Sequence, residues 1–412
     1  MAEIEVPPYF LCPITLEIMK DPVTVSTGIT YDRDSIEKWI FTQKNLTCPV
    51  TKQILQNQEI TPNITLRRLI QSWCTLHATH GVERLPTPKA PVTKSQLLKI
   101  LEDAKKVPCA QMKCLQSVRS IASENQTNKR VMESSGVVEF LAKLIVKKTF
   151  EASIAEISED LSDLRKICDE ALSILCSLQL SETGLKALNN AEFIESLTTV
   201  MQSGSYESRA YVIMLLTSLL EVADPSLLIN LKPEFFAELN QTLGDHQVSG
   251  KASKETLKIL ISVCPWGRNR IKAVESGAVP VIIDLLLDSS EKRVCEMMLM
   301  LLDMLCQCAE GRAELVKHAA GLAVVSKKIL RVSQVASEKA VRILHSISRF
   351  SATPGILQEM LQIGVVAKLC LMVQVDCGSK AKERAKEILK LHSRAWRKSS
   401  CIPRNLISSY PS

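Results

Sequence analysis

Glycine is scarce in this 412-residue chain, with 14 residues, or about 3% against the ~7% usual in globular proteins. Aromatic residues are also few: four Trp, five Tyr and eight Phe. A large all-β protein needs glycine in its turns and aromatics on its strands, so these two shortages argue against one. Long apolar runs are missing as well. Tyr211–Leu220 is the longest approach to one, far below the roughly 18 residues that a membrane helix requires. The fourteen cysteines have no regular spacing and mostly sit in apolar stretches, which suits reduced core residues rather than a disulfide framework. The opening Met1-Ala-Glu-Ile-Glu-Val-Pro-Pro8 is acidic and proline-bearing, unlike a secretory leader. A cytoplasmic location is therefore expected, with the nucleus as the alternative. Finally, a global basic field is absent. The net charge of +7 resides in residues 380–404, and the rest of the chain balances at 42 Lys/Arg against 42 Asp/Glu.

What remains is strong helical patterning from about Lys94 onward. A five-residue apolar pattern recurs as Ala171–Leu175, Val212–Leu216, Thr256–Leu260, Met298–Leu302, Ala340–Leu344 and Ala385–Leu389, with Cys114–Val118 as a weaker first copy. Successive copies lie 57, 41, 44, 42, 42 and 45 residues apart. The long first step points to an insertion near 149–163, either a loop or an extended helix. Small-residue turns at Ser135-Gly136, Ser276-Gly277 and Ile363-Gly364 each precede an apolar helix. A period near 42 with two or three helices per unit predicts an α-solenoid, because one repeat cannot bury its own apolar faces. The form Glu275-Ser-Gly-Ala-Val-Pro280 resembles armadillo repeats. About seven repeats are expected over 94–398, after a proline-rich linker at 80–93 and before a tail at 399–412. Lys/Arg in the last helix and tail could contact anionic lipid, nucleic acid or an import receptor. Since Ile388, Leu389 and Leu391 continue the apolar stripe, these basic residues are expected to form the solvated face of the last helix. No nucleic-acid partner is expected.

The first part has a different grammar, dense in Pro, Thr and Asp. Residues 11–28 read as a loop and short hairpin, and Thr30–Ile40 as a helix with Asp32 at its N-cap and Ile36, Trp39 and Ile40 on one face. Cys48–Leu55 is a second loop and strand. A last helix from Pro62-Asn63 should bury Leu66, Leu69, Ile70 and Trp73 as one stripe. In order along 5–79 run Cys-Pro-Ile-Thr, Asp-Pro-Val, Gly-x-Thr-Tyr-x-Arg-x-x-Ile-x-x-Trp, Cys-Pro-x-Thr and Pro-Asn-x-x-Leu-Arg-x-Leu-Ile. Together these resemble the U-box domain of ubiquitin ligases. A U-box followed by armadillo repeats resembles the plant U-box ligase family. The expected fold is mostly α, a small α+β zinc-free RING-like domain followed by an armadillo-type solenoid.

A RING domain needs eight ligands for two zinc ions. This segment holds only Cys12, Cys48 and Cys74 before His77, so no metal and no cofactor is expected. Bracing must come from other groups, for which Cys12, Asp21, Asp32, Arg33 and Asn63 are the structural candidates. Cys12 has no His or Asp pattern that would activate it as a nucleophile.

The resemblance implies a ligase that docks a ubiquitin-charged conjugating enzyme and orients transfer to a substrate lysine without a covalent ligase intermediate. It assigns Ile14, Leu16, Trp39 and Pro49 to the docking patch, and places Lys52 where many relatives carry an arginine linchpin. Lysine lacks the planar fork, so either it serves with less precision or another group does that work. The protein substrate would lie on the armadillo groove, and a U-box-mediated homo-oligomer and a role in plant stress or defence signalling are implied. Thr61-Pro62, Thr87-Pro88 and Thr353-Pro354 suit a proline-directed kinase or mark turns. At Thr61 a phosphate would alter self-association or docking. The alternative from another class is a non-enzymatic armadillo adaptor whose U-box has decayed.

Overall fold

The computed structural model describes residues 5–43, 45–57, 59–78, 83, 92–106, 110–154, 160–245, 249–396 and 402. Thr87, most of the 80–93 linker and nearly all of the 399–412 tail lie outside them. The chain divides into two compact units, Met1–Val137 and Val138–Ser412.

The first unit begins with a three-stranded antiparallel sheet in the order β2-β1-β3, from β1 (Pro22–Thr24), β2 (Thr30–Asp32) and β3 (Thr61–Pro62). Val23 pairs with Tyr31 on one side and Pro62 on the other. The β1–β2 turn closes through Gly28 at φ +82°. Helix α1 (Arg33–Glu37) continues into a wide π-helical segment, Lys38–Thr42. The helix therefore starts three residues later than Thr30, because Thr30–Asp32 is drawn into the sheet. After β3 comes α2 (Ile64–Leu76), capped by Asn63, whose Oδ1 accepts the Leu66 N–H at 3.1 Å. The domain core gathers Phe10, Cys12, Met19, Val23, Val25, Tyr31, Ile36, Ile40, Cys48, Leu55, Ile70 and Cys74. Leu69 does not join it. At 54% exposure it lies about 100° around the helix from Ile70, beside the stripe of Leu66, Ile70, Trp73 and Cys74. The same unit continues with α3 (Lys94–Lys106), α4 (Gln111–Glu124) and α5 (Gln126–Ser134).

The second unit is built from helix triplets. Its helices are α6 (Val137–Ile154), α7 (Asp160–Leu178), α8 (Glu182–Leu188), α9 (Ala191–Ser203), α10 (Tyr206–Glu221), α11 (Pro225–Ile229), α12 (Pro233–Gly244) and α13 (Gly250–Val263). Then follow α14 (Gly267–Glu275), α15 (Ala278–Asp288), α16 (Lys292–Leu305), α17 (Ala309–Lys317), α18 (Gly321–Lys328) and α19 (Gln334–Phe350). The last are α20 (Pro354–Gln362), α21 (Val365–Gln374), α22 (Ser379–Leu391) and α23 (Ser393–Trp396). The residues of the long first step extend α6 at one end and begin α7 at the other, with 155–159 outside the described residues. Third helices of successive triplets pack side by side: α7 on α10, α10 on α13, α13 on α16, α16 on α19 and α19 on α22. Each carries one of the apolar five-residue patterns, and their second halves are buried, as at Leu260, Leu302, Leu344 and Leu389. This is the stacking that a single repeat's unpaired apolar face demands. Leu391 departs from the stripe and is 54% exposed, where α22 ends.

Side-chain stitches keep the 42-residue step. Lys272 Nζ donates to the Leu231 carbonyl, Lys368 Nζ to Ser326 O at 2.6 Å, Lys328 Nζ to Ser289 O at 2.8 Å, and Asn269 Nδ2 to Leu228 O at 2.8 Å. Each donor lies about one repeat after its acceptor and bonds a backbone carbonyl at or near a helix end. The turns at Gly136, Gly277 and Gly364 all have positive φ, 80°, 87° and 76°, which only glycine adopts without strain. Gly311 is small for another reason. A Cβ there would fall on the Leu305 carbonyl, so Gly311→Ala forces α17 away from α16. The expected loss is about 1–3 kcal/mol, as for overpacking, read as a lower thermal midpoint of the helical transition.

Among the described residues no single helix is long and apolar enough to cross a membrane. The consecutive helices α20 and α21 pass that test only as a pair bent by 66°, with Gly364 at the bend. Thr353 is the N-cap of α20, its Oγ1 accepting the Ile356 N–H at 3.3 Å, so this Thr-Pro dipeptide marks a helix start.

Candidate functional site

Two loops of the first domain have the same shape. In one, Cys12 N–H donates to Glu17 O and Leu16 N–H to Cys12 O, both at 2.8 Å. In the other, Cys48 N–H donates to Gln53 O at 2.8 Å and Lys52 N–H to Cys48 O at 2.9 Å. Single bridges, Leu11 with Ile18 and Thr47 with Ile54, close their necks. Leu16 and Lys52 occupy equivalent positions, at φ 60° and 59°, a left-handed conformation unusual for residues with a side chain. The Cys-Pro-x-Thr repeat in the sequence carries this equivalence: Ile14 matches Val50, Pro13 matches Pro49.

Strand β2 ties both loops together. The Asp32 N–H donates to Cys12 Sγ at 3.3 Å, and the Tyr31 hydroxyl lies 2.9 Å from Cys48 Sγ while accepting the Val50 N–H at 3.2 Å. Burial would by itself raise the Cys48 thiol, but its polar neighbours Thr27, Thr51 and Tyr31 prevail and bring it down from 9.0 to about 6. Burial, and then the bond to Cys48, hold the Tyr31 phenol well above its ordinary range. Asp32 sits at the N-cap position of α1, yet its side chain makes no capping bond. Its Oδ1 instead accepts the Lys20 and Asp21 N–H groups at 2.8 and 2.9 Å, bracing the first loop. Burial raises this carboxyl above the usual carboxylate range, against the pull of those two N–H groups.

The neighbouring ion cluster is centred on Asp21. Arg33 Nε donates to its Oδ2 at 2.6 Å, and Arg67 lies 3.6 Å from Oδ1, linking α1 and α2 to the same loop. Asn63 Nδ2 reaches Thr30 Oγ1 at 3.4 Å. Cys12, Asp21, Asp32, Arg33 and Asn63 thus all make interactions around the sheet. Tyr31 and Arg67, which no sequence pattern marked as bracing residues, complete the network. Among the described residues no group of three His, Cys, Asp or Glu side chains could hold a metal ion.

Because the folded Cys48 value is depressed, its contribution to stability is full above about 9 and is lost as pH falls through about 6. The unfolding midpoint of this domain should therefore rise between pH 6 and pH 8. Thermal melts of Cys48→Ala should show a flatter profile over that window.

The outer surface of the two loops is apolar. Leu16 is 73% and Val50 51% exposed, while Ile14 and Pro49 are half-buried. Trp39 is also half-buried, packs against the domain core and donates its Nε1–H to Thr47 O at 2.8 Å. One indole thus bridges the helix and the neck of the second loop. Lys52 is exposed on that loop, and Thr61 is exposed on β3, opposite Thr24. Exposed apolar side chains on a hydrogen-bonded frame are what a protein-docking surface requires.

A family model of the U-box domain matches residues 6–79, and a model of the plant U-box protein ARM repeat region matches residues 95–412. The chain belongs to the plant U-box/armadillo-repeat family. Among similar proteins of Arabidopsis thaliana is E3 ubiquitin-protein ligase PUB22, 55% identical over 432 residues and covering 99% of both chains. E3 ubiquitin-protein ligase PUB23 is 56% identical over 416 residues, covering 99% of this chain and 98% of its own. Among solved structures, a designed armadillo repeat protein superposes with a TM-score of 0.44 at 16% identity, over 61% of this chain and 99% of its own. In this U-box, the two loops are held by Tyr31, Asp32 and the Asp21–Arg33–Arg67 cluster. The loops keep their mutual position through β2.

Proposed function

We propose that this U-box/armadillo protein is a ubiquitin-protein ligase. The observation that carries it is the pair of matched loops, braced through β2, that present Ile14, Leu16, Pro49 and Val50 beside Trp39. A ubiquitin-conjugating enzyme is the partner for that surface. The substrate lysine amine attacks the ubiquitin thioester carbonyl, an amide forms, and the conjugating enzyme's cysteine leaves as the thiolate. This chain supplies orientation rather than a nucleophile. Its U-box thiols suit that division of labour, since Cys12, Cys48 and Cys74 are at most 1% exposed. Lys52 would offer a point charge toward the bound ubiquitin without the fork of an arginine.

The armadillo helices are the substrate arm. Support comes from a row of charged pairs across the third helices: Asp303 with Arg342 at 3.3 Å, Glu338 with Arg384 at 3.4 Å and His345 with Glu387 at 2.9 Å. Such a row suits a polypeptide partner. The twelve described cysteines are free thiols, which favours the cytosol or nucleus as the working compartment.

The test is single-turnover discharge of a preformed conjugating-enzyme–ubiquitin thioester onto free lysine. The chain should accelerate discharge, with no thioester on its own cysteines in non-reducing gels. No acceleration by folded protein with any conjugating enzyme would favour the adaptor reading.

A further inference from the structure

Helix α5 lies outside the U-box in sequence but inside the same compact unit. Two of its residues reach the helix that carries Trp39. The Thr127 hydroxyl donates to Glu37 Oε1 at 2.8 Å. The Arg130 guanidinium lies 3.0 Å from the centroid of the Phe41 ring. Glu37 and Phe41 are four apart and share one helix face, as do Thr127 and Arg130, three apart on α5. Trp39 lies two residues from each of Glu37 and Phe41, about 200° around the helix, and therefore faces the opposite way.

This contact is costly to build. Glu37 is 3% exposed, and its Oε1 has Arg33 at 3.6 Å while its Oε2 has no hydrogen bond. Burial pulls the Arg130 guanidinium below its ordinary range, opposed by the charge of Glu37. Buried charges persist only where compensated. Here the compensation is shared between the two elements: a carboxylate and an aromatic face on the U-box, a hydroxyl and a guanidinium on α5. The segment they grip, Lys38–Thr42, is the wide-turn stretch, a form that occurs mostly at functional sites and lacks the regular ladder of an α-helix.

We propose that Arg130 and Thr127 are positioning residues for the docking of the conjugating enzyme. They hold the Lys38–Thr42 segment from behind so that Trp39 stays fixed against the Thr47 carbonyl and faces the partner. The repeat region would then be part of the ligase machinery as well as the substrate arm. The inference rests on the ligase reading above, and its test separates the two.

Two measurements on the full chain decide it, with Arg130→Ala and Phe41→Leu compared with wild type. Hydrogen exchange of the free protein reads the clasp directly. The amides of Gln43 and Asn45, bonded to the Lys38 and Trp39 carbonyls, should exchange faster in both variants while those of α13–α22 are unchanged. In thioester discharge, the half-saturating concentration of charged conjugating enzyme should rise roughly tenfold, the order expected for losing a desolvated cation–π contact, with little change in the maximal rate. Arg130→Lys should recover part of the loss, and the double variant should cost no more than either single one. A merely structural role would lower the folded fraction and the maximal rate, leaving half-saturation unchanged. Unchanged exchange, or faster exchange with unchanged half-saturation, overturns the proposal. Wild-type protein that discharges no thioester refutes the ligase reading, and this inference with it.

Discussion

Asp32→Ala is expected to unfold the U-box at ordinary temperature while leaving the helical unit intact. Its carboxylate accepts the Lys20 and Asp21 N–H groups at 2.8 and 2.9 Å. Each hydrogen bond to a charged acceptor contributes about 1.5–3 kcal/mol. Losing both removes roughly 3–6 kcal/mol, comparable to the whole stability that a core of this size supplies. Heating followed by circular dichroism should show the armadillo transition close to its wild-type midpoint. Proteolysis should cut the variant between residues 5 and 78, where the wild type resists. Asp32→Asn keeps one acceptor oxygen and should fall between the two.

Ile14→Ala is expected to reduce ubiquitin transfer by about 100-fold or more with little change in melting. A central apolar anchor at a docking surface contributes on the order of 2–4 kcal/mol to association, and every 1.4 kcal/mol is tenfold in affinity. Ile14 is half-buried, outside the fully buried core, so its truncation leaves most of the domain's packing in place. Trp39→Ala should abolish transfer too, but it also removes the bond to Thr47 O and so lowers stability. The Ile14 variant is therefore the cleaner probe, measured as initial discharge rates at fixed conjugating enzyme.

Much of this architecture was legible in the sequence for a physical reason. Stacked helices need an apolar stripe at the same place in each repeat, so the 42-residue step in Ile/Leu pairs had to appear in the residues themselves. The glycine turns were legible likewise, since positive φ admits few alternatives. The matched loops were written in Cys-Pro-x-Thr twice over. What escaped was pairing at long range. Nothing in the sequence indicates that Asp32 bonds back to Lys20 and Asp21 rather than capping α1. Nor does it join Thr127 and Arg130 to Glu37 and Phe41, about ninety residues away. Tyr31 was hidden because its polar tip acts across the core, and Leu69 was misplaced by one helical position, which turns a side chain through about 100°.

The measurement that tests the central claim most directly is self-ubiquitination in the presence of a strong zinc chelator. Purified full-length chain, activating enzyme, ATP and a panel of conjugating enzymes would be incubated with and without it, beside the Ile14→Ala variant. A zinc-independent activating enzyme and conjugating enzymes serve as the fixed background. The hydrogen-bonded brace predicts ubiquitin ladders of equal intensity with and without chelator, and none from Ile14→Ala. Ladders lost on chelation would contradict the brace, and ladders undiminished in Ile14→Ala would contradict the docking surface.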